Sequence, residues 1–308
     1  MRVRPPLEPS SPVRAIGRRL VLAVLVAACG FPVAARQVET ASPAYVLTAF
    51  RNGDARTMSV YGSDDAASFM PLALAAYSPP GGLIRDPSII QTSDGWYRVV
   101  YTTDWSSTEI GFARSRDLTH WEFERNLRLP IVGLTNAWAP EWFVDEDGST
   151  LIIVSLSHNG TEGPFQPHLM TATDQALTQW SAPRPMPGLG PNAIYTFVVR
   201  QGDSYQAFVK NETTKFIERA AAPALEGPWT IVGSGDWAGW GSWNEGPALV
   251  RRLDGGWRIY FDQYVEKRYW HSDSDDLIHW TPRTELAGLS GVVRHFTVLQ
   301  QQPSPISP

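Results

Sequence analysis

A repeat of about 50 residues is what most restricts the folds open to this chain. Five segments, at 58–72, 112–124, 170–183, 217–232 and 269–283, resemble one another. Each runs from a short apolar stretch through a turn rich in Ser, Asp and Ala to an aromatic residue that opens the next stretch. These aromatic anchors are Phe69, Trp121, Trp180, Trp229 and Trp280, spaced 52, 59, 49 and 51 residues apart. Between them lie runs such as WYRVVYTT, STLIIVSL, SYQAFVK and WRIYFDQY, each preceded by an Asp-Gly, Gly-Asp or Gly-Gly pair. Apolar, aromatic and β-branched runs bounded in this way read as strands joined by tight turns. No helical periodicity lasts beyond a turn or two.

Four short strands per repeat is the size of a propeller blade. The sequence therefore predicts an all-β fold, a five-bladed β-propeller of four-stranded blades over residues 44–300. The first repeat (AYVLTAFR, then MSVYGS) lacks an innermost strand, whereas the C-terminal run VVRHFTVLQ is left over. Adding that last strand to the first blade closes the ring, which matters because an open ring would leave strand edges exposed. Residues 29–43 read as a linker and 301–308 as a disordered tail.

The N-terminus reads as an export signal, with Arg14, Arg18 and Arg19 ahead of an apolar run from Leu20 to Ala28 that is too short to span a bilayer. Val26-Ala27-Ala28-Cys29 resembles a lipobox, which makes Cys29, the only cysteine, a candidate lipid anchor and the one expected tie to a membrane. Conventional cleavage near Ala35 is the alternative. The expected location is outside the cytoplasm: periplasmic, on the cell surface or secreted. With one cysteine the domain has no disulfide, so its core must hold it together. Without residues 1–28 the balance is 21 basic against 30 acidic side chains. That charge excludes nucleic acid as an expected partner, since phosphate binding needs a basic face. The expected state is a monomer.

Aligning the innermost strand of each repeat by its apolar core places one residue just before each: Asp86, Glu141, Tyr195, Glu245 and His295, at steps of 55, 54, 50 and 50. Residues in the same phase of successive blades ring the axis at one end of the channel. Three carboxylates converging on one funnel repel and raise each other's pKa. A glycosidase has a use for that, because it needs a protonated acid beside an ionised carboxylate.

The motifs Arg85-Asp86-Pro87-Ser88-Ile89, Trp138-Ala139-Pro140-Glu141, Asn244-Glu245-Gly246-Pro247 and Arg294-His295 occur in that order across nearly the whole predicted domain. In this the chain resembles glycoside hydrolase family 43. The resemblance implies an inverting hydrolase with α-L-arabinofuranosidase, arabinanase or β-xylosidase activity, releasing α-L-arabinofuranosyl or β-xylosyl groups from plant-type polysaccharide or oligosaccharide. It implies Asp86 as general base and Glu245 as general acid. The family's third carboxylate, which tunes and orients the acid, falls at Tyr195, a departure that leaves Glu141 as the candidate for the role. No cofactor is required. His295 matches a channel histidine that lies near substrate or near a cation, and a calcium ion in the channel would be held through water, since imidazole is a poor ligand for a hard cation.

Aromatic residues offer sugar-stacking faces beside these acids. Trp138 and Trp142 flank Glu141, while Trp237, Trp240 and Trp243 precede Glu245 in a Gly-rich loop expected to wall the site. Trp138, Trp142, Tyr195, Trp240, Trp243, Arg294 and His295 are thus the expected substrate contacts, with Arg294 placed to pair with Asp86 or Glu245. The competing reading is a non-catalytic carbohydrate-binding propeller that has lost its third carboxylate. A retaining fructan-active relative is disfavoured, because no cysteine follows Glu245. No serine-nucleophile or phosphate-loop motif is present.

Overall fold

A computed structural model of the chain describes residues 42–301. The export segment 1–28, Cys29, the alternative cleavage site near Ala35 and residues 302–308 lie outside the described residues.

The first blade starts with β1 (Tyr45–Arg51), β2 (Asp54–Ser63) and β3 (Met70–Tyr77). The second is β4 (Arg85–Gln91), β5 (Tyr97–Thr102), β6 (Glu109–Ser115) and β7 (Trp121–Arg128). The third is β8 (Asn136–Val144), β9 (Thr150–Ser157), β10 (Gln166–Thr171) and the two-residue β11 (Arg184–Pro185). The fourth is β12 (Ala193–Gln201), β13 (Ser204–Asn211), β14 (Ile217–Ala222) and β15 (Thr230–Gly233). The fifth is β16 (Asn244–Arg251), β17 (Trp257–Gln263), β18 (Arg268–Ser274) and β19 (Thr284–Glu285). The last strand, β20 (Val293–Gln300), pairs antiparallel with β1 and completes the first blade as β20-β1-β2-β3. The five-bladed propeller and its closure are as the repeat predicts.

Each blade is sandwiched between two neighbours, so its inner strands are buried on both faces. This explains why β5 reads YRVVYT with every residue buried rather than alternating. Five apolar clusters fill the five gaps between blades. The cluster between the first and fifth blades includes Leu47, Phe69, Tyr260 and Tyr269, so the ring is closed by packing as well as by pairing. Phe69, Trp121, Trp180, Trp229 and Trp280 each lie in a different one of these gaps. The Ser/Asp turns before them have a mechanism: Asp65, Asp117, Asp174 and Asp276 each accept two backbone N–H groups of the following turn. Gln301, expected in the tail, is instead tied to the start of the domain, its N–H on the Ala44 carbonyl and its side chain on that of Pro43.

Candidate active site

All five innermost strands carry a β-bulge near their start. At the bulge, Asp86, Ala139, Tyr195, Gly246 and His295 have φ between +24° and +59°, a region that non-glycine residues seldom enter. A bulge re-aims side chains, and strain of this kind collects at functional sites. Only Gly246 is free of it, and a Cβ there would meet His295 Cδ2 at 2.6 Å.

The bulges correct the expected ring. Asp86, Tyr195 and His295 share one level, but Glu245 stands one residue before its bulge and Glu141 two residues after, so the equivalent of Asp86 in the third blade is Ala139. Glu141 therefore lies one pleat deeper, about 7 Å along the strand. There it meets the inner strands of the second and the first blade, accepting from Ser88 Oγ at 2.6 Å and Thr297 Oγ1 at 3.1 Å. Burial pushes its carboxyl up to about 8, against the lowering effect of those two hydroxyls.

At the upper level His295 links two acids brought in by blades on either side of its own. Its Nδ1 is 2.5 Å from Asp86 Oδ1, and its Nε2 is 3.0 Å from Glu245 Oε1 along a line too bent for a hydrogen bond. Asp86 also accepts from Thr102 Oγ1 at 2.9 Å, and the same hydroxyl accepts the Ala139 N–H of the next blade at 2.9 Å. Burial opposes the charge on Asp86, but His295 beside it holds the carboxyl below its ordinary range. Burial likewise opposes charge on the imidazole, and Glu245 and Asp86 overcome it to raise His295.

Glu245 is also gripped by Lys210 Nζ at 2.7 Å and Arg294 Nη2 at 2.5 Å. Burial works against its charge, but His295, Lys210 and Arg294 outweigh it and hold the carboxyl well below the usual range. Arg294 Nε donates to Asp262, the cross-strand partner of Glu245 on β17. Asp262 is 1% exposed, and burial pushes it up to about 6 despite Arg294. Two carboxylates packed this closely share their protons, which titrate as properties of the pair.

Lys210 and Asp262 are absent from the sequence expectations, although a signal for them exists. They are the charged residues that end the runs SYQAFVK and WRIYFD of two second strands, each paired across to the residue just before a bulge: Ile194 to Lys210 and Glu245 to Asp262.

Glu245, Asp262 and His295 bring ligand atoms within 4.8 Å of one another. The donor set does not fit calcium, which takes six to eight oxygens. Two carboxylates and one imidazole fall short of that, and the Arg294 and Lys210 cations already neutralise the two acids.

The aromatic expectations divide. Trp142 is 5% exposed and packs on Phe112 and Trp180, and Trp240 is 3% exposed against Phe261 and Trp280. Both are core, since a large ring wedged between blades is worth more there than in solvent. Trp237 also packs on that core, with its Nε1 on the Ile217 carbonyl, so of the loop's three tryptophans only Trp243 is exposed. Trp243 lies edge-on to Tyr264, whose ring carries Lys210 Nζ at 4.5 Å. Trp138 remains at the mouth, half-buried, stacked on Phe165 at 5.1 Å and edge-on to the exposed Trp105 at 6.0 Å. Tyr195 packs its ring against His295 at 4.4 Å. Beneath them, Asp86, Glu141, Tyr195 and His295 line a cavity with room for a water molecule and not for a sugar ring.

The fold is a closed five-bladed ring whose inner strands bring buried acids together. The chain belongs to the family 43-related glycosyl hydrolases, described as a "probable glycosyl hydrolase domain", whose model matches residues 45–302. This bears out the family resemblance. No curated protein matches the chain in sequence. Among solved structures it is similar to an exo-β-1,3-galactanase from Clostridium thermocellum, at 14% identity and TM-score 0.61 over 82% of this chain and 62% of that one. It is also similar to two proteins of Bacteroides thetaiotaomicron at 13% identity. One is an endo-1,4-β-xylanase, with TM-score 0.56 over 83% of this chain and 91% of that one. The other is an endo-arabinase, with TM-score 0.55 over 79% and 89%. At these identities the likeness is one of fold.

Proposed function

We propose that the protein hydrolyses an O-glycosidic bond with inversion, with Asp86 as general base and Glu245 as general acid. The observation that carries this reading is that the two carboxylates, from blades two and five, stand on either side of one imidazole. The imidazole fills the direct line between them, so an attacking water would stand beside the ring, in the small cavity that Asp86 borders. Asp86, held ionised, borders a cavity of water size. In the proposed step, the water oxygen bonds to the anomeric carbon and gives a proton to Asp86. The glycosidic C–O bond breaks as its oxygen takes a proton from Glu245. Asp262 fills the place of the missing third carboxylate: raised to about 6, it takes up in mildly acidic solution the proton that Glu245, among three cations, does not keep, and returns it through the pair. Glu141, deeper and already satisfied by two hydroxyls, is not needed as the modulator. The family resemblance names α-L-arabinofuranosyl or β-xylosyl groups of an exported enzyme's plant-type substrate.

One observation favours the non-catalytic reading: Glu245 is pinned by Lys210, Arg294 and His295, while Tyr195 stands where the family has an acid. Aryl arabinofuranoside, xyloside, galactoside and fructoside tested with wild type, Asp86→Asn and Glu245→Gln separate the two. The hydrolase reading expects turnover with an inverted anomeric signal by NMR, and a loss of about 10²–10⁴-fold in each variant with sugar binding kept. Binding of a polysaccharide without turnover of any glycoside would establish the binding module instead.

A further inference from the structure

Arg85 is a basic side chain at the channel mouth that the acid network does not use. It is 8% exposed, and among the described residues its guanidinium makes no hydrogen bond and no ion pair; Nε is buried without a partner. A cation taken this far out of water and left unpaired is costly on the scale of buried charges. Asp86, the next residue, does not complete it: among the described residues no ion pair joins the two, and the Asp86 oxygens face His295 and Thr102. What holds the group is aromatic. Its Cζ lies 3.9 Å from the ring centre of Trp105, 5.4 Å from Phe50 and 6.0 Å from Trp138. Rings at this range orient a guanidinium without consuming its N–H donors. The charge also bears on Asp86 and Tyr195, which places it beside the proposed reaction centre.

We propose that Arg85, presented by Trp105, Phe50 and Trp138, is a receptor for the carboxylate of an acidic sugar, so that the substrate is a uronate-bearing glycan. This rests on the hydrolase reading and names the class of its substrate. A planar fork with unspent donors matches a carboxylate at two points, and Trp105, 52% exposed, sets an aromatic ring beside it. The carboxylate would supply the hydrogen-bond acceptors that the protein itself does not bring to the guanidinium. Because Arg85 directly precedes Asp86, the acidic unit would be the cleaved sugar or its immediate neighbour.

The test is tryptophan-fluorescence or calorimetric titration of the full chain at low salt with methyl β-D-glucuronide, the methyl glycoside of galacturonate, and the neutral methyl β-D-glucoside and galactoside. The expected result is binding of each uronide at least about tenfold tighter than its neutral partner, as a charge-assisted pair requires. Arg85→Gln should remove that preference while neutral-sugar binding changes by less than about threefold, and Arg85→Lys should restore only part of it. The wild-type comparison needs no variant and stands even if Arg85→Gln fails to fold. Equal binding of uronide and neutral sugar, a preference that survives in Arg85→Gln, or tighter binding of a sulfated glycoside would overturn the proposal. Turnover of aryl glycosides without any uronate preference would leave the hydrolase reading standing and remove only this inference.

Discussion

Replacing Glu141 by Gln should make the propeller more resistant to alkali. Glu141 sits in the channel wall, taking hydrogen bonds from Ser88 and Thr297, and is pushed up to about 8 from an ordinary 4.5. An acid whose pKa is raised on folding binds more protons folded than unfolded between those two values. Its contribution to stability is therefore complete below about pH 4.5 and fades as pH rises through 8. With 1.36 kcal/mol per pH unit, the wild type should lose about 2–3 kcal/mol between pH 6 and pH 9 from this group alone. Gln is uncharged at every pH and its amide oxygen can still accept from both hydroxyls. The assay is urea denaturation followed by tryptophan emission at pH 6, 7, 8 and 9. Relative to its own value at pH 6, the variant should lose about 2–3 kcal/mol less than the wild type by pH 9, which is about 4–10 °C in Tm. Parallel stability curves for the two proteins would mean that Glu141 is ionised in the native state, and the burial reasoning would fail.

Other expectations follow from the same geometry. Asp262→Asn should move the alkaline limb of the kcat–pH profile down by about one unit or more, because Glu245 alone among three cations gives up its proton sooner; an unmoved limb would show that Asp262 does not serve the acid. Trp142→Ala should cost about 3–5 kcal/mol of stability, since it empties a gap between blades. Trp105→Ala should cost under about 1 kcal/mol yet weaken sugar binding in the same titrations; a larger loss of stability than Trp142→Ala causes would refute the assignment of Trp142 to the core and Trp105 to the site.

The repeat was enough to determine the fold. Apolar runs, Asp-based turns and one aromatic per blade are local signals, and five of them at near-constant spacing leave no other ring to close. The leftover strand 293–300 and the strand-poor first repeat named each other, because a missing inner strand and a spare one have a single solution. Asp86, Glu245, Arg294 and His295 were legible as well, since phase along a repeat predicts which end of the channel a residue reaches.

The levels within that channel were not legible. A bulge adds one residue to a strand without changing its hydrophobic pattern, so the chain alone did not reveal that Glu141 is out of phase with the ring and that Ala139 is the counterpart of Asp86. For the same reason Trp142 and Trp240, close to site residues in the chain, turned into the gaps between blades. Lys210 and Asp262 reach the site from second strands, and only cross-strand register brings them to Ile194 and Glu245. The unpaired state of Arg85 belongs wholly to tertiary structure. Whether a cation has a partner depends on where every neighbouring carboxylate points, and the oxygens of Asp86 point to His295 and Thr102, one from another blade and one from the facing strand.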